Sequence, residues 1–170
     1  MNHLATPRVL AALAGFALMT LSAPTILAAG ADSATGTLSV EGPDKTLSAA
    51  LTHAYVVVGP DTFEPEKITR RIVFTPQDER ATIMACKDVS CATLSGSDGL
   101  TVSLREGSTP AWWAHVYPIQ YSGSTGADAL KTTVDTADRL AGTFTLDNPG
   151  AKATIEFDAT LVKTFAGAKH

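Results

Sequence analysis

The sequence predicts an all-β domain: an antiparallel β-sandwich or small barrel of about eight strands, with at most one short helix. Three observations lead there. Apolar and polar residues alternate with a period of two in short runs. Clusters of Gly, Pro, Asp and Ser separate those runs at near-regular spacing. Helical signal is confined to one stretch, Pro76 to Ala85, where acids follow a proline start.

The N-terminal segment stands apart from this pattern. Met1 to Arg8 holds Arg8 and His3 and no acid, and Val9 to Leu21 is an apolar run broken only by small residues. Ala29-Gly30-Ala31 then meets the A-x-A rule of a signal peptide. The run is shorter than the roughly 20 residues that span a hydrocarbon core. Residues 1–31 therefore read as a cleaved leader, with the cut before Asp32 and a cut after Ala29 nearly as suitable. No cysteine follows the apolar run to take a lipid. Taking 31 residues from 170 leaves 139, one domain spanning 32–170. The loss of Arg8 moves the net charge from −4 to −5. A mildly acidic domain has no electrostatic reason to bind nucleic acid, and no second apolar run reaches membrane length.

The strands follow in order. Gly36 to Val40 turns Leu38 and Val40 inward, and Leu51 to Val58 is apolar on both faces from Tyr55 onward, as a central strand requires. Gly59 to Pro65 is a loop, because its two prolines remove ladder donors. Ile68 to Phe74 alternates again, with Arg70 on the inward phase and hence near a wet end. Leu100, Val102 and Leu104 form the next run, Trp112 to Tyr121 the longest aromatic strand, and Val134 with its threonine neighbours one more. The last two, Leu140 to Leu146 and Ala153 to Leu161, flank the turn formers Asp147 to Gly150 and should make an antiparallel hairpin.

Cys86 and Cys91 are the two cysteines, and in an oxidising compartment they read as a short-loop disulfide. The chemistry-bearing residues are otherwise sparse. No G-x-S-x-G elbow, glycine-rich phosphate cradle or metal-ligand spacing occurs, so no cofactor is expected. The most informative stretch is Ala111 to Tyr121. As one strand it places Trp113, His115, Tyr117 and Tyr121 on a common face, suited to stacking on a ring or to contact with a partner, and Pro118 favours a sheet edge. The opposing view is a strand buried on both faces, or one at a sheet end.

The runs Gly36 to Val40, Leu51 to Tyr55, Leu140 to Phe144 and Ile155 to Leu161 resemble those of uncharacterised exported β-domain proteins of bacteria. The resemblance implies a periplasmic or secreted setting and transfers no functional residue. The expectation is therefore a non-catalytic exported domain that binds a protein partner or small ligand through the aromatic strand. Two alternatives stand beside it: a hydrolase whose residues converge in space around His53 or His115, and a copper or other metal-binding envelope protein using Met84 and the cysteines.

Overall fold

The computed structural model describes residues 31–61, 63–93 and 97–167. The leader expected over residues 1–31 falls outside them except for Ala31. The chain forms one nine-stranded sheet, curled into a half-barrel: β1 (Ser33–Glu41), β2 (Thr46–Pro60), β3 (Ile68–Thr75), β4 (Gly99–Leu104), β5 (Ala111–Val116), β6 (Ile119–Ser124), β7 (Leu130–Asp135), β8 (Arg139–Asn148) and β9 (Ala151–Thr164). Their order across the sheet is β6-β5-β4-β3-β2-β1-β9-β8-β7, with every neighbouring pair antiparallel. One parallel contact is added where β1 stops short. Beyond its end β2 and β9 meet directly, from Tyr55 opposite Thr160 to Val58 opposite Thr164.

Two short helices, α1 (Arg80–Ala85) and α2 (Val89–Ala92), interrupt the strands between β3 and β4. The sequence predicts at most one. It misses α2 because four residues inside a cysteine loop carry no periodicity; the helix is set instead by Asp88, whose side chain accepts the Cys91 N–H. α1 begins later than its proline suggests. Tyr55 donates its hydroxyl proton to Asp78 and accepts the Glu79 N–H, which holds that stretch as a bend. Burial, and then the bond to Asp78, push the Tyr55 hydroxyl pKa well up.

The strand count exceeds eight because the aromatic run is not one strand. Val116 pairs with Ile119, so Tyr117 and Pro118 form a two-residue hairpin turn between β5 and β6. The C-terminal hairpin forms as the sequence predicts. Asn148 lies opposite Ala151, and Leu146, Phe144 and Leu140 face Ala153, Ile155 and Ala159.

The concave face of the sheet holds the main core, and it is filled. Phe74 of β3 lies 6.4 Å from Phe144 of β8 and edge-on to Phe157 of β9 at 5.3 Å, so the two halves of the curl meet through aromatic rings. Leu38, Val56, Ile72, Val102 and Trp112 are buried with them. A second cluster sits on the convex face, where Tyr55, Val57 and Val73 pack under Ile83, Cys86 and Ala92 of the helical segment and under Val162 and Phe165. This is why β2 is apolar on both faces. Arg70 lies at a strand end, as its phase implies, and bonds Asp135 and the Thr136 carbonyl of the far edge.

Candidate functional site

The helical cover does not reach across the whole convex face. It stops over β3, and beyond it lies a cavity of about 200 Å³. Its floor is a row of residues paired across three strands: Val73 on β3, Thr101 on β4 and Trp113 on β5. A second row, Gly99, His115 and Gln120, crosses β4, β5 and β6. Val89, Ser90 and Thr93 of the α2 segment form one wall, Ser97 and Asp98 another, and Phe63 stands on the rim.

Two of the four residues singled out in the aromatic run come together here. Trp113 and His115 both line the cavity and are half-buried. Tyr117 does not line it; it sits in the β5–β6 turn, 77% exposed, and its N–H donates to Asp98. Tyr121 is placed on the opposite face. It lies across from Ala114, so its ring points to the concave side, where its hydroxyl donates to the Glu41 carbonyl. The continuous aromatic face expected from the sequence is thus corrected. A two-residue turn reverses the parity of the returning strand, so Gln120 and Ser122, rather than Tyr121, share a face with His115 and Trp113.

Several lining residues carried no signal in the sequence. Gln120 reads as filler in an aromatic run, and Asp98 as part of a turn. Arg71 is the most consequential. Its residue is only 3% exposed, and its guanidinium donates to the carbonyls of Pro60 at 2.7 Å, Gly59 at 3.4 Å and Thr69 at 3.5 Å. Burial depresses its pKa, with Asp61 acting in the opposite sense. The outward phase of β3 places it; nothing local in the sequence marks it as buried.

The loop that carries Phe63 is held by a buried ionic knot. Asp61 accepts the N–H groups of Phe63 and Glu64, a bidentate-capable Arg105 at 2.7 Å, and the Thr69 hydroxyl. Burial opposes ionisation of Asp61, yet these four bonds hold its pKa down to about 2. Arg105, from the β4–β5 connection, also bonds Glu64, so the loop is tied to the neighbouring strand pair by charge. A smaller hollow of about 140 Å³ lies on the other side of Phe63 and Trp113, between Asp61, Arg105 and Ser103.

The cysteines form the expected disulfide, Cys86 to Cys91. Val89 and Ser90 lie inside the loop it closes, so the bond supports a wall of the cavity. His115 Nδ1 donates to the Ser97 carbonyl at 3.0 Å and is 3.7 Å from Asp98. His53 Nδ1 meets the Thr52 hydroxyl at 2.9 Å, but that hydroxyl gives its own proton to the Pro76 carbonyl. Among the described residues no three His, Cys, Asp or Glu side chains are grouped to hold a metal ion, and no helix is long and apolar enough to cross a membrane.

Fold and site together define a class: a curled antiparallel sheet with a filled interior and a ligand-sized cavity on its convex face. Comparison with protein-family models, with curated proteins and with solved structures finds no match.

Proposed function

We propose that this domain is exported and binds a small molecule, without chemical transformation, in the cavity between α2 and strands β3 to β6. The observation that carries the reading is the cavity itself. The concave face, where curled sheets of this kind have room for a ligand, is packed with Phe74, Phe144 and Phe157. The convex face is left hollow beside an indole and an imidazole. Splitting the aromatic row between two faces also favours a small ligand over a flat protein partner, because Trp113 and His115 sit in a recess and Tyr121 is turned away.

The volume bounds the ligand. A dry cavity of about 150 Å³ takes a benzene ring, so about 200 Å³ suits a single ring with a short substituent. A panel of neutral, anionic and cationic one-ring compounds, titrated while ¹⁵N–¹H spectra are recorded, tests the reading. Saturable shifts at Val73, Thr101, Trp113 and Val89, lost in Trp113→Ala, are expected. If no member of the panel moves those signals in the wild type, or if folded Trp113→Ala binds as well, the cavity is not a binding site. Export is tested separately by the mass of protein recovered from outside the cytoplasm, which should correspond to a chain starting at Asp32 or at Gly30.

A further inference from the structure

We infer that the cavity selects a small monocarboxylate with a single-ring or short acyl body, its acid group drawn to Arg71; this rests on the cavity being a binding site. Three observations on the same group lead to it. Arg71 is one of the residues that line the cavity, at the end of β3 away from Gly99 and Asp98. It is buried, yet no carboxylate of the described residues pairs with it. Asp61, the acid that most influences it, is already engaged by Arg105, Thr69 and two backbone N–H groups. Finally, a guanidinium has five N–H donors, and three bonds to neutral carbonyls account for its protein partners. That leaves two donors for something else.

A buried cation whose own hydrogen bonds all go to neutral acceptors is costly unless a counter-charge pairs with it. A carboxylate is the natural match, since its two oxygens fit the guanidinium fork. The opposite end of the cavity points the same way. Asp98 stands there, near His115 and held by the Tyr117 N–H, and would repel an acid group placed beside it. The ligand is thus polarised: acid toward Arg71, body across Val73 and Trp113 toward His115. Val89 on the α2 side and Phe63 on the rim supply further apolar surface to that body. A dianion is disfavoured, because only one arginine of the described residues lines this cavity and Asp98 lines it too.

The test compares three probes of matched shape on the full domain: 3-phenylpropionate, 3-phenylpropan-1-ol and 3-phenylpropylamine, by calorimetry and by Trp fluorescence. The acid should bind the wild type at least ten times more tightly than the alcohol, and the amine more weakly than either. Arg71→Met should remove the preference of acid over alcohol, Arg71→Lys should keep part of it, and Tyr121→Phe, on the opposite face of the sheet, should leave it intact. The wild-type comparison stands alone if Arg71→Met does not fold. Equal binding of acid and alcohol overturns the inference while leaving the cavity reading in place. So does a preference that survives Arg71→Met or that disappears in Tyr121→Phe. Binding of none of the three, together with a silent one-ring panel, removes the cavity reading itself.

Discussion

Asp61 shows how one side chain can be read in both stability and site. Its carboxyl is nearly inaccessible and its pKa falls from 3.8 to about 2 because charged and backbone donors converge on it. A group depressed in the folded state stabilises above its unfolded pKa, and that contribution is lost as the pH falls through the folded value. The difference corresponds to about 2 kcal/mol, present in full above roughly pH 5 and disappearing between 3.8 and about 2. Asp61→Asn should therefore be less stable than the wild type by at least that amount at pH 7, and the gap should narrow toward pH 2. Urea unfolding at a series of pH values measures it; a gap that does not change with pH would show that the four donors do not act through charge. Phe63 should also lose its fixed place on the rim in this variant. None of this was legible in the sequence, where Asp61 reads as a turn former between two prolines. The donors arrive from Arg105 and Thr69, which the fold alone brings to it.

Gly142 is the second residue whose role belongs to its neighbours. It has φ of +156°, and a Cβ built there would lie 2.1 Å from the Lys131 carbonyl oxygen of β7. Gly142→Ala should therefore strain β8 and push β7 off the sheet. The expected result is loss of amide protection across Leu130 to Asp135 with the rest of the sheet retained, read by hydrogen exchange. Unchanged protection in β7 would mean that the edge accommodates the methyl group.

At the scale of elements, the disulfide and α2 act as one unit. The loop closed by Cys86 and Cys91 is short, so the chain-entropy model assigns it only about 2 kcal/mol. Its larger consequence is local. Val89 and Ser90 lie within the loop, Asp88 caps it, and Lys163 donates to the Met84 and Cys86 carbonyls from β9. Reduction, or the Cys86→Ser and Cys91→Ser double variant, should cost roughly 2 kcal/mol in urea unfolding and should weaken binding in the cavity by more than its effect on unfolding suggests. A ligand affinity unaffected by reduction would show that α2 holds its place without the bond. The cysteine pair could be read from count and compartment, and the closing hairpin from alternation around Pro149-Gly150. The aromatic run could not be read as two strands. Alternation continues through Tyr117 and Pro118 on paper, and only the pairing of Val116 with Ile119 shows that the phase has changed.

Across the whole molecule, Phe74 is the place where the two halves of the curl depend on each other. It is fully buried, and its ring contacts come from β8 and β9, well over sixty residues along the chain. Phe74→Ala should cost about 3–5 kcal/mol and lower the resistance to exchange of β8 and β9 as much as that of β3. A loss confined to β3 and its neighbours would mean that the halves are stable apart.

By itself the sequence determined the class of fold, the inward phase of most strands, the terminal hairpin and the pairing of the two cysteines. Each of these is carried by residues close along the chain: a period of two, a turn between two runs, an even cysteine count. The tertiary structure decided the rest. Which strands are covered on their second face depends on where α1 and α2 come to lie, and the hollow exists because that cover ends over β3. Trp113 and His115 share it with Arg71 and Gln120 because strand pairing, not proximity in sequence, aligns side chains across a sheet. The burial of Arg71 and the parting of Tyr121 from Trp113 follow from the same cause, since a side chain's face is set by register and its environment by whatever packs on that face.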